Sequence, residues 1–298
     1  MLQIFDKTII PILLYGAEVW GMSDIRKPTN STRQLFEREF VNIDTIHTKF
    51  CKQLLGVKQA TSNKATLAEL GRFPLICNIL TRTAKFFMQK DTQLSTSLVT
   101  SALRTNLKTS NSNFGILKDI LLQMDKTRTA NTSHKIKTLI HAFKHKIQIE
   151  YKNYISEEST NENRQLFWTI KNNYQFANYI REVPRPSWRR AISQIRLSSH
   201  RMPIEQGRWH NILRNNRTCK LCNSDEIGDE FHCTFTCTHP DVVQWRAVLT
   251  KEIIAISPQF RHLPKKQQFI YLINATDSSI NKSGILGHFL MQVFTLHK

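Results

Sequence analysis

The residues best equipped for chemistry crowd between positions 219 and 239. Cys219-Lys220-Leu221-Cys222 is followed, after nine residues, by His232 and, after four more, by Cys237. Two cysteines two residues apart can aim at one ion from a tight turn, and a His and a Cys about a turn apart supply a second pair. Three thiolates and an imidazole make a closed tetrahedral set that suits Zn2+ in a structural role, with no position left for a reactive water. Cys233, beside His232, and His239, two residues past Cys237, stand in reserve as ligands. The alternative is a group of buried thiols in a helical region. Six cysteines would also suit three disulfides by count, but Cys51 and Cys77 stand alone in helix-like sequence, and the crowding of the other four points to a metal. Between the ligand pairs, residues 225–230 are acidic and Gly228 permits a bend, as expected of a loop that leaves an ion and returns to it.

Charge is the second signal. Forty-two Lys and Arg against 23 Asp and Glu leave +19 on 298 residues, so a polyanion is the expected partner, RNA or DNA. From residue 126 to 152, seven basic residues face one acid, Glu150, while Ile136, Leu139, Ile140, Phe143 and Ile147 recur at helical spacing. This is a basic amphipathic helix. Its Lys135, Lys137, Lys144 and Lys146 either contact nucleic acid or form a solvated face over a core stripe. Arg189, Arg190, Arg208, Arg214, Arg217 and Lys220 form a second basic group around the metal candidate. Trp209 and Phe231 could stack on bases if exposed, with core packing the preferred expectation.

The elements that must position these groups read as mostly α. Amphipathic helices pack into a body, a small zinc-binding module follows, and further helices close the chain. Ile43, Ile46, Phe50 and Leu54 define a helix stopped by Gly56, and residues 63–70 define another, with Ser62 as N-cap and Gly71 as stop. Pro74 opens a third toward residue 90, and residues 95–113, rich in Ser, Thr and Asn, read as a connector with a weak helix at 98–107. Further helices are expected over 163–180, 187–198, 240–256, 267–275 and 285–296. About two domains fit this length. The composition divides the chain into a helical region at 1–125, a basic helical region at 126–186, a zinc-binding module at 187–250 and closing helices at 251–298. The apolar run at 8–14 is too short for a membrane span and is interrupted by Pro11. Asp6 and Lys7 before it do not suit a secretory signal, so no membrane contact and an intracellular place, nucleus or cytoplasm, are expected.

Three blocks carry a resemblance. Pro11-Ile12-Leu13-Leu14-Tyr15-Gly16-Ala17-Glu18-Val19-Trp20-Gly21 resembles the segment after the palm domain of non-LTR (LINE-type) retrotransposon reverse transcriptases, where the thumb begins. Lys49-Phe50-Cys51-Lys52-Gln53-Leu54-Leu55-Gly56 and then Glu69-Leu70-Gly71-Arg72-Phe73-Pro74-Leu75 are similar to the helical continuation. Glu205-Gln206-Gly207-Arg208-Trp209, leading into Cys219, Cys222, Ile227 to His232 and Cys237, resembles that family's zinc-binding segment. Order and spacing agree over residues 9–246. The resemblance implies a thumb-like character for 1–125 and a part of an RNA-directed DNA polymerase that works with an upstream polymerase region in one polyprotein. Polymerase chemistry needs two Mg2+ held by palm aspartates, and no Asp-Asp pair occurs in the 298 residues. The chain alone is therefore expected to be inert as an enzyme, with Met1 a start inside a longer element. Pro240-Asp241 is an isolated match to a nuclease that some relatives carry, without an acid-x-Lys partner downstream. A decayed, inert remnant with a structural zinc site and no specific binding is the alternative.

Overall fold

The structure, a computed structural model, describes residues 1–21, 36, 43–91, 133–158, 165–171, 174–275 and 280–297. These residues are mostly helical, as the apolar periodicity predicts, and among them β-pairing is limited to two isolated bridges, Leu70 with Phe176 and Thr218 with Ile227. The chain divides into two compact units, Met1–His47 with Phe73–Glu158, and Thr48–Arg72 with Ser159–Lys298. That grouping is not sequential, because residues 48–72 belong with the later chain. The expected connector at 95–113, its weak helix, and Lys126 and Arg128 lie outside the described residues. Among the described residues no helix is long and apolar enough to cross a membrane.

In the first unit, short helical turns at Leu2–Ile4, Phe5–Ile9, Ile10–Leu13 and Ala17–Trp20 precede two long helices, Leu75–Asp91 and Ser133–Glu158, which pack together. The Leu75 N–H is capped by Asp44 Oδ1 at 2.8 Å, and Arg82 Nη1 donates to the Leu14 carbonyl at 2.9 Å. Ser133–Glu158 is the expected basic helix. Phe143, Ile147, Tyr151 and Tyr154 are buried along one stripe, whereas Lys137 and Lys144 are exposed. The apolar periodicity therefore marks a core face, and the lysines cover the opposite one.

The second unit begins within the helix Ile43–Leu55, which ends at Gly56, and Ser62 Oγ accepts from the Ala65 N–H at 3.3 Å to cap Asn63–Glu69. Gly71, at φ +59°, turns left-handed after it, and a Cβ there would lie 2.6 Å from the Phe176 nitrogen. That close approach explains why the helix expected over 163–180 is broken. Gln165–Ile170 stops early and helix resumes only at Tyr179–Glu182. Between them the Ala177 N–H donates to the Glu69 carbonyl at 3.0 Å and the Tyr174 hydroxyl to the Arg72 carbonyl at 2.5 Å. The Ala177 N–H, which would have closed a helical hydrogen bond, is satisfied by distant chain instead, and the Tyr174 side chain ties down the same stretch.

A buried charge cluster lies at the centre of this unit. Arg196 Nε and Nη2 donate to the two Glu69 oxygens at 2.6 and 3.1 Å, Lys171 Nζ lies 3.8 Å away, and Arg196 Nη1 reaches the Ile273 carbonyl at 2.7 Å. Burial pushes the Glu69 carboxyl up, but the Arg196 and Lys171 charges outweigh it and hold the group below the ordinary carboxylate range. Pro186–Arg196, Pro240–Ile256 and Lys265–Ala275 each pack against Ile280–Thr295. Ile192, Val242, Leu249, Phe269 and Leu290 share one apolar core with Cys219, Cys233, Phe235 and Cys237. The segment that carries the candidate ligands is thus built into the core of its unit.

Candidate metal centre

The loop from Arg217 to Gly228 doubles back on itself. The Cys219 N–H donates to the Glu226 carbonyl and the Gly228 N–H to the Arg217 carbonyl, both at 2.8 Å. Gly228 serves close packing more than the bend expected of it: its φ is not positive, and a Cβ would meet Pro203 Cγ at 2.7 Å. A π turn, His232–Thr236, follows, with the Cys237 N–H bonded to the His232 carbonyl at 2.8 Å. Residues five apart face away from each other on an α-helix, and the wider π turn brings His232 and Cys237 to one side. Asp229 Oδ1 holds the start of this turn by accepting from the His232 N–H at 2.7 Å.

The result is a cluster of four donors. Cys219, Cys222, His232 and Cys237 each present one ligand atom, and all four atoms lie within 4.8 Å of one another. Cys219 Sγ and Cys237 Sγ are 3.9 Å apart, and Cys222 Sγ is 3.3 Å from His232 Nε2. A tetrahedral ion with sulfur at ~2.3 Å and nitrogen at ~2.0 Å would set such separations at ~3.8 and ~3.5 Å, so the donor set fits a metal. Cys233 is buried and outside the set, and His239 is also outside it.

Glu226 was not distinguished by spacing from its acidic neighbours. Its Oε2 lies 2.5 Å from His232 Nδ1, and the Thr236 hydroxyl lies 3.1 Å from the same nitrogen. A carboxylate on Nδ1 fixes the ring and leaves Nε2 as the inward-facing electron pair, the usual outer partner of a metal-bound His. The electrostatics suit a cation. A hydrogen bond from the Cys233 thiol, against burial, pulls Cys219 down to about 3, while burial and then the Cys219 charge push Cys237 up to about 12. For Cys222, burial acts upward and hydrogen bonds from Ser224 and His232 prevail, lowering it. Sulfurs this close cannot all ionise in a cation-free site, and a divalent ion would remove that conflict.

The predicted basic residues separate into several places. Lys135, Lys137, Lys144 and Lys146 lie on Ser133–Glu158 in the first unit, where Lys146 is 3.9 Å from Glu150. In the second unit Arg189 Nη1 donates to the Val183 carbonyl at 2.9 Å, and Arg190 and Lys220 are exposed. Arg208, Arg214 and Arg217 are brought together. With Lys266, which sequence reasoning missed, they line a cavity of about 380 Å³ whose walls also carry Glu205 and, from the ligand-bearing segment, Asp229, Glu230 and Phe231. Phe231 is partly buried and packs on Phe235 and Phe269 against the core, the arrangement expected of it, whereas Trp209 is 39% exposed, with Lys58 Nζ 3.2 Å from its ring centre. Comparison with protein-family models, curated proteins and solved structures found no match to this chain.

Proposed function

We propose that this chain is a nucleic-acid-binding segment of a non-LTR retrotransposon reverse transcriptase, held together by one structural zinc ion and lying downstream of the polymerase palm. The observation that carries the proposal is the convergence of Cys219, Cys222, His232 and Cys237 next to a cavity lined by Arg208, Arg214 and Arg217. Three thiolates and an imidazole favour zinc over harder cations, and four protein ligands complete its tetrahedron, which gives the ion a structural role. The three arginines supply phosphate contacts, and the overall charge of +19 draws a polyanion toward them. The lysines of Ser133–Glu158 and the exposed Arg190 and Lys220 add sequence-independent affinity. Catalysis belongs to the upstream polymerase region of the same polyprotein.

Elemental analysis of the purified chain tests the metal, with about one zinc per chain expected and a loss in Cys219→Ala and Cys222→Ala. Binding to a structured RNA tests the partner. Three arginine–phosphate contacts alone give a slope of log affinity against log salt of about −2 to −3, the other basic residues make it steeper, and RNA should be preferred to heparin. Equal retention of heparin and RNA would instead favour an inert remnant whose charge is inherited.

A further inference from the structure

Away from the metal ligands, the second unit holds a cavity of about 270 Å³. It forms where residues 58–62, just before Asn63–Glu69, meet the turn at 197–199 and the end of helix Pro203–Trp209. Ser199 Oγ, only 2% exposed, accepts from the Lys58 N–H at 2.9 Å and from the Thr61 hydroxyl at 3.1 Å. Its two lone pairs are thereby engaged and its own proton remains to donate. Lys58 Nζ sits over the Trp209 ring and reaches the His200 carbonyl at 3.4 Å, which leaves one of its three N–H groups. Arg208 stands on the rim, with a terminal guanidinium nitrogen paired to Glu205. No carboxylate lines the cavity itself.

These groups ask for a particular chemistry. Lys58, the Ser199 proton and the part of the Arg208 guanidinium not paired to Glu205 face a cavity with no carboxylate in its lining and call for an anionic acceptor, and the half-exposed indole offers a flat wall for a ring. Burial first, and the Arg201 charge second, hold the Lys58 ammonium below its ordinary value despite the Glu205 charge, so an anion here would relieve a surplus of positive charge. The volume falls just under the roughly 300–1,000 Å³ of ordinary ligand pockets, room for a single small ligand.

We propose that this cavity binds one nucleotide, its phosphate taken by Ser199, Lys58 and Arg208 and its base laid against Trp209 after the Lys58 ammonium swings from the indole to the phosphate. Two sources carry that chemistry, a free nucleoside monophosphate and the phosphorylated end of a strand. Arg208 also lines the cavity of the RNA proposal, but Ser199, Lys58 and Trp209 do not, so a chain that failed the comparison of RNA with heparin could still bind a mononucleotide here.

The test is calorimetric titration of the full chain with adenosine 5′-monophosphate, adenosine and inorganic phosphate, alongside tryptophan emission. The monophosphate should bind at one site and more tightly than either part alone, and the emission change should vanish in Trp209→Phe. Ser199→Ala and Lys58→Gln should each weaken binding about tenfold or more by removing a hydrogen bond to a charged group. Lys58→Gln is the safer variant for folding, and an unchanged melting temperature certifies it. Competition by a 5′-phosphorylated but not a 5′-hydroxyl octanucleotide assigns the strand end, and competition by the free monophosphate alone assigns the small molecule. No saturable heat, affinity unchanged in both variants, or inorganic phosphate binding as tightly as the monophosphate would overturn the proposal.

Discussion

Replacing Glu69 with Gln would strand two cations in the core of the second unit. Glu69 and Arg196 have fully buried side chains, and that of Lys171 is 2% exposed. Gln keeps the volume and one acceptor oxygen but removes the charge that both cations face. Breaking a buried ion pair from one side costs about 3–5 kcal/mol, because the remaining charge stays desolvated. Lys171 also donates to the Gln175 carbonyl at 2.8 Å and keeps that partner, so the lower end, about 3 kcal/mol, is expected. With a urea slope of about 2 kcal/mol per molar, the unfolding midpoint of this unit should fall by roughly 1.5 M, read by circular dichroism at pH 7. The double replacement Glu69→Leu with Arg196→Met should be milder than Glu69→Gln, since it leaves only Lys171 uncompensated. Acid adds a second readout. The folded carboxyl lies below its ordinary value of 4.5, so its stabilisation is complete above that value and is lost as pH falls through the lower folded one. Glu69→Gln should flatten that acid-side decline. A cost under about 1 kcal/mol, with an unchanged acid profile, would refute the assignment of this pair as the centre of the unit.

The other expectations concern the metal segment and one turn. Glu226→Gln should lower zinc affinity about tenfold in competition with a chromogenic chelator, the low end of the range for outer partners because this side chain is 59% exposed; no change would remove Glu226 from the site. Cys233→Ser should keep zinc content near one per chain, and a loss of metal would show that the ligand set is wrongly chosen. Gly71→Ala should destabilise by about 1 kcal/mol or more, since the residue is left-handed and a methyl would press on the Phe176 backbone; a wild-type melting temperature would contradict that geometry.

What could be read from the amino-acid order is what neighbouring residues decide. The stop at Gly56, the Ser62 cap and the Gly71 turn are helix-end chemistry contained within a few positions, and each falls where the residues predict. The metal donors are legible for the same reason, since their spacing alone limits them to short turns around one point. The break seen at 174–178 is not legible, because the groups that pair with this stretch sit at 69–72, and apolar periodicity carries no trace of them. Nothing in the amino-acid order marks Arg196 for burial, yet it is buried against a carboxylate 127 positions earlier. Glu226 looks like any acid in an acidic loop until the loop folds back onto His232. Lys58 and Trp209 become neighbours only through the tertiary fold.

The separation of Glu69 from Arg196 bears on how a ribosome delivers this protein. At a synthesis rate of about 5–20 residues per second, the carboxylate leaves the exit tunnel roughly 6–25 s before the guanidinium that makes its burial tolerable, and Ile273 arrives later still. Until the guanidinium arrives, the Glu69 carboxylate keeps its water and the burial of its helix waits.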